Sequence, residues 1–169
     1  MNEFIDFHTQ GFELPPGMKD LSNLLPPPGN AERARQVQLP IESFAQIEGY
    51  LLRLLQSTAS YRVVDIFSTD CQGCLAVTHS RNHFRLMVTM HPRNRTKEAR
   101  VSDFFSQRNI SPQYDSGFQA LGIDMWLCFF PLPRVALEAA ELLRELLQQV
   151  FGLAENAGLI YTYHEQNAA

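Results

Sequence analysis

The stretch from Tyr61 to His91, YRVVDIFSTDCQGCLAVTHSRNHFRLMVTMH, holds most of the side chains in this chain that could do chemistry. Cys71-Gln72-Gly73-Cys74 has the spacing of a dithiol redox pair or of half a zinc site. His79, His83 and His91 follow, and Asp65 and Arg85 flank them. A carboxylate near a histidine can tune it for proton transfer at neutral pH, and an aspartate facing an arginine can form an ion pair or bind a polar ligand.

Each signal has a plainer reading beside it. A redox Cys-x-x-Cys is expected at a helix N-terminus, which lowers the first thiol's pKa, yet here the following residues read as a strand. A zinc site needs two further ligands at comparable spacing, and the chain has no second Cys-x-x-Cys and no His-x-x-x-His. Cys71 and Cys74 are therefore read as part of a hairpin turn, with no metal and no cofactor assigned. For acid-base work, no nucleophile stands out beside Asp65, His83 and His91. The chain has no Gly-x-Ser-x-Gly elbow and no phosphate-binding glycine loop, so no catalytic residue is assigned.

The elements that must position these residues can be read from periodicity. Residues 61 to 91 alternate as three consecutive antiparallel strands, a meander. A tight turn at Arg81-Asn82 sets Phe84 opposite His79, Leu86 opposite Val77 and Val88 opposite Leu75, which gathers the apolar residues on one face. A four-residue loop at Asp70 to Gly73 sets Asp65 opposite Thr78. In that register one face carries Val64, Ile66, Leu75, Val77, Phe84, Leu86 and Val88 as core. The second face carries Asp65, Thr78 and Arg85 in a row, with His83 and His91 at its edge and His79 on the opposite face. These five residues of the second face, Asp65, Thr78, His83, Arg85 and His91, form the candidate ligand-binding set. A half-buried sheet face with one structural ion pair is the plainer reading of the same row.

Around the meander, Ile41, Phe44, Ile47, Tyr50, Leu51, Leu54 and Leu55 recur at helical spacing and predict an amphipathic helix over about residues 41 to 57. Thr96 caps a shorter helix running to Arg108. Residues 112 to 117 read as a loop, and IDMWLCFF, residues 123 to 130, as an interior strand covered on both sides. A broad apolar stripe from Val135 to Phe151 predicts a helix at about 133 to 151, closed by Gly152. Leu159 to Glu165 reads as a last strand, and a strand-helix-strand unit of this kind is expected to place its strands parallel in a right-handed crossover. The predicted fold is α+β, in the order α-β-β-β-α-β-α-β. The meander is extended by two further strands into one sheet, packed on the helices at 41 to 57 and 133 to 151.

Residues 1 to 38 are a proline-rich arm and residues 39 to 169 a single α+β domain. Six of the ten prolines fall in the first forty residues, where regular structure cannot propagate. Phe4, Ile5, Phe7, Phe12 and Leu14 make this arm either a strap that docks in extended form or a disordered tail.

The net charge of -4 and sequence pI near 5.7 argue against a nucleic-acid binder. No run of about 18 apolar residues is present, so no membrane span is expected. The start, MNEFIDFHTQ, lacks the basic and apolar regions of an export signal, and three cysteines fit a reducing compartment, so a cytoplasmic protein is expected. Seven of the fourteen basic residues lie between Arg81 and Arg108, against two acids there. Arg93, Arg95, Lys97 and Arg100 are the candidate contacts for an acidic protein partner, with a solvated basic loop as the plainer reading. Taken together, the sequence reads as a non-enzymatic cytoplasmic protein-interaction or regulatory domain, with a protein partner or self-association. The alternative is a small-ligand-binding domain or small enzyme centred on Asp65, Arg85, His83 and His91.

Overall fold

The computed structural model describes residues 41–68, 73–80, 82–90, 95–120 and 122–166, with backbone alone at residues 73, 74, 95 and 120. The arm assigned to 1–38 lies outside the described residues. The elements are a 3-10 turn Phe44–Gln46, α1 Ile47–Gln56, β1 Tyr61–Phe67, β2 Gly73–Ser80, β3 Phe84–Met90, α2 Arg95–Ser106, β4 Tyr114–Ala120, β5 Ile123–Pro131, α3 Ala136–Gln149 and β6 Ile160–Gln166. The fold is α+β, as the sequence predicts. No helix among the described residues is long and apolar enough to cross a membrane.

The six strands form one sheet in the order β4-β5-β3-β2-β1-β6, and every neighbouring pair is antiparallel. β5 and β6 are separated by four antiparallel steps, so they run in the same direction, as expected of the unit built around α3, but they lie with three strands between them. β4 is an addition to the expected order. Its YDSGFQA composition is that of a loop, yet all seven residues pair with β5. The neighbouring strand offers a row of backbone donors and acceptors that outweighs weak local propensity. The Asp115 carboxylate accepts the Trp126 Nε1 proton at 2.7 Å and ties the two strands together at their side chains.

α1 starts later than its apolar period suggests. Glu42 and Leu159 exchange both backbone hydrogen bonds at 2.7 Å, which holds the chain extended just before β6 begins. Only after Ser43, itself extended, can the backbone turn, through the 3-10 turn and into α1. α3 is likewise trimmed to Ala136–Gln149. Gly152 then adopts φ 71°, the left-handed conformation that ends a helix at least cost.

All seven residues expected on the core face, from Val64 to Val88, are buried there. They join Phe44, Ile47, Leu51 and Leu54 from the α1 region, Val101, Phe104 and Phe105 of α2, and Ala139, Leu143, Leu146 and Leu147 of α3 in one cluster. Phe105 stacks on Phe130 of β5 at 3.9 Å between centroids. Each such fully buried leucine or phenylalanine contributes about 1.5–3 kcal/mol relative to exposure. The three described helices therefore share one face of the sheet.

Candidate functional site on the second sheet face

The β2–β3 register is the one the apolar pattern demands: His79 faces Phe84, Val77 faces Leu86 and Leu75 faces Val88. Ser80 and His83 close the hairpin with reciprocal backbone hydrogen bonds at 2.9 and 3.4 Å. The β1–β2 register differs from the expectation by two residues. Asp65 faces Ala76, and the residue opposite Thr78 is Val63. The last pair of this hairpin is Ile66 with Leu75, so the connection is longer than a four-residue loop. A slip of two leaves every side chain on its original face, which is why the core was unaffected while the polar row was broken.

The second face is therefore organised in different rows. One runs His164, Val63, Thr78, Arg85, Pro131 across β6, β1, β2, β3 and β5. The next runs Thr162, Asp65, Ala76, Met87, Phe129, Tyr114 and reaches β4. Asp65 turns towards β6. Its Oδ2 accepts the Thr162 hydroxyl at 3.0 Å and lies 3.8 Å from His164 Nε2. Arg85 lies with its guanidinium carbon 4.2 Å from the centroid of the Phe129 ring, and its Nε is buried without a hydrogen-bond partner. Burial lowers the Arg85 pKa from its ordinary value, opposed by the nearby Tyr61 hydroxyl. Tyr61 is in turn held protonated to higher pH, first by burial and then by the Asp65 charge, with Arg85 opposing.

Of the five candidate ligand-binding residues, Thr78 and Arg85 are neighbours and Asp65 lies one row and two strands away from Arg85. His83 is exposed at the hairpin end, and His91 lies outside the described residues. Tyr61, Thr162 and His164 complete the polar set. Tyr61 was legible, four residues before Asp65 and so on the same strand face. Thr162 and His164 were not, because nothing local says that β6 pairs with β1. The floor between these groups is Val63, Ala76, Leu127 and Phe129, all buried, with Met87 and Met125 half-buried and Phe67 and Ile160 at the β1–β6 side.

On the helical side of the sheet, Arg62 is 6% exposed. Its Nη1 donates to the Leu54 carbonyl at 3.0 Å and to the Ser57 carbonyl, at the C-terminal end of α1. His79 Nδ1 lies 3.0 Å from the same Leu54 oxygen and 2.9 Å from Arg62 Nη1. With both Nη1 protons given to carbonyls, Nδ1 carries the imidazole proton and donates it to Leu54. Burial, then the Arg62 charge, lowers the His79 pKa below its usual 6.5. His79 is thus a neutral structural histidine, away from Asp65.

The basic segment has intramolecular contacts. Arg93 lies outside the described residues, and Arg95 is described by its backbone. The Arg100 guanidinium donates to the Gln149 carbonyl at the end of α3, and Lys97 Nζ lies 5.8 Å from the Phe151 ring centroid. Cations at that end complement the helix dipole. Arg108 pairs with Glu145 at 2.6 Å.

Cys71 and the Cys74 side chain lie outside the described residues. Cys128 is a free, buried thiol whose pKa burial pushes up to about 12. Among the described residues no group of three or more His, Cys, Asp or Glu is placed to hold a metal ion. Two shallow hollows, of about 450 and 620 Å³, lie away from the second face. One is lined by residues of α1 and Glu165, the other by Ser43, Phe44, Arg144 and Glu155 among others. Compared with known proteins, the chain matches no protein-family model, no curated protein and no solved structure.

Proposed function

We propose that this chain is a non-enzymatic cytoplasmic domain that recognises a protein partner through the second face of its sheet. The observation that carries this reading is the segregation of layers. The three described helices pack on one face, and the other gathers Tyr61, Asp65, Arg85, Thr162 and His164, with the apolar Phe67 exposed at its β1–β6 side. Of the expected acid-base set, His83 stands at the hairpin end and Asp65 is engaged with β6. Asp65 with Thr162 and His164 is a grouping that favours a small-ligand receptor instead.

The full chain should retain a partner from an extract of the cells that make it. Phe67→Glu, at a partly exposed position of the second face, should weaken retention about tenfold or more, while Leu137→Glu, on exposed α3 surface, should leave it unchanged. Equal retention by wild type and Phe67→Glu would remove the second face as the recognition surface.

A further inference from the structure

Ser80 and His83 exchange both backbone hydrogen bonds at the β2–β3 hairpin, so Ser80 points towards β3. By alternation Val77 points to β1, its partner Val64 to β2, Asp65 to β6, and Thr162, opposite Asp65, to β1. Tyr161, Tyr163 and Glu165 therefore direct their N–H and C=O groups away from β1, to the side where β6 has no neighbouring strand among the described residues. Leu159 has the same direction and gives both groups to Glu42. Two residues before Glu42, Pro40 has no N–H with which to continue that pairing along β6. The β6 sequence, IYTYHEQ, carries none of the proline, lysine or glycine that weakens or blunts an edge strand. The opposite edge strand, β4, holds Asp115, Ser116 and Gly117, which are poor strand formers.

α1 runs beside this edge. Tyr50 stacks on Tyr161 at 4.6 Å between centroids, and the Arg53 guanidinium carbon stands 3.8 Å from the centroid of the Tyr163 ring. Gly49, Leu52, Arg53, Gln56 and Glu165 are all exposed and line the hollow of about 450 Å³, so this spot lies open to solvent. Among the described residues, a side-chain carbon at Gly49 would meet nothing within 4 Å beyond its own helix, and no left-handed φ requires glycine there. Packing within the chain thus gives no reason for a mid-helix glycine that alanine would improve on, whereas a backbone approaching from outside does. Arg53 and Glu165 also set opposite charges on one patch, which makes the patch complementary to itself about a two-fold axis. We infer that the β6 edge pairs with the same edge of a second copy of this chain. Antiparallel pairing centred on Tyr163 uses all three outward residues, sets Tyr161 opposite Glu165 of the second copy, and leaves Leu159 with Glu42. Arg53, over Tyr163, then reaches Glu165 of the second copy, which is the diagonal neighbour of Tyr163 about 7–8 Å across the strand pair. The two α1 helices run antiparallel on the same side of the joined sheet, with Gly49 and Leu52 between them. This edge is separate from the second-face surface proposed above.

The test is sedimentation velocity of the full chain over a range of concentrations, with amide hydrogen exchange resolved along β6. A concentration-dependent dimer is expected, in which the Tyr161, Tyr163 and Glu165 amides exchange more slowly than in the dissociated chain. Gly49→Arg, which suits an exposed helix position, should weaken the dimer about tenfold or more while native circular dichroism is kept. Arg53→Glu and Glu165→Arg should each weaken it about tenfold or more, by setting like charges against one another at both symmetric contacts. Mixed in equal amounts, these two variants should form a heterodimer. Each then meets the opposite charge across the axis, while the contacts within each chain are unchanged by mixing. A chain that is monomeric at every concentration would overturn the assignment. So would a dimer unaffected by Gly49→Arg, no recovery on mixing, or a dimer in which the three amides exchange freely. Slow exchange of those amides in a monomer would also overturn it, and would identify another segment of the same chain as the occupant of the edge.

Discussion

Asp65 and Arg85 show how a charged side chain on a half-buried sheet face is defined by its neighbours more than by its own type. In the register expected from the sequence they face each other across Thr78. In the structure Asp65 is answered by Thr162 and His164, and Arg85 by the Phe129 ring. The difference is measurable by double-mutant cycles of stability. Asp65→Ala with Thr162→Ala should show a coupling of about 0.5–1.5 kcal/mol, the usual range for a partly buried hydrogen bond. Asp65→Ala with Arg85→Ala should show a smaller coupling, because the two side chains lie two strands apart and are linked through the charges acting on Tyr61 rather than by direct pairing. The reverse pattern would restore the original row.

At the scale of elements, the end of α1 is held by a strand residue. Four carbonyls at a helix C-terminus lack intrahelical partners, and Arg62 of β1 reaches two carbonyls at that end with one guanidinium nitrogen. The same charge complements the negative end of the α1 dipole, which offsets part of the cost of burying it. Arg62→Met should therefore lower stability by about 1–3 kcal/mol, read as a drop in thermal midpoint with native circular dichroism retained at low temperature. A neutral or stabilising outcome would mean that apolar packing replaces the cap fully. The elements themselves were largely visible in the sequence: the meander, the final helix and the interior strand all follow from periodicity. β4 was not, because Asp115, Ser116 and Gly117 are turn formers and only β5 beside them makes the segment a strand. The later start of α1 was hidden for a similar reason, since Leu159, which holds Glu42 extended, is more than a hundred residues away.

For the molecule as a whole, His79 links folding to pH. In the folded chain its Nδ1 proton is given to Leu54, and Arg62 and Arg134 are the charges acting on the ring, both cationic. Protonating Nε2 would place a second positive charge in that site. The folded pKa lies below 6.5 and the unfolded one near it, so between these values the unfolded chain binds the proton first. The His79 contribution to stability is complete above pH 6.5 and is lost as pH falls from there to the folded pKa. The slope in that window is at most about 1.4 kcal/mol per pH unit. Denaturant midpoints measured from pH 7.5 to 5 should fall in wild type and fall less in His79→Gln; parallel curves would show that His79 does not carry the effect.

Alternation and helical period determined by themselves which residues are core, because burying apolar side chains is a local requirement that each strand or helix meets with one face. They determined the β2–β3 pairing too, where the turn leaves a single register that gathers the apolar residues. They could not separate registers differing by two, since both bury the same side chains, and so the partners of Asp65 and Arg85 were open until the β1–β2 connection and the place of β6 were known. Those were decided by the tertiary structure alone, through pairings between residues as far apart as Asp65 and Thr162, for which no local pattern exists.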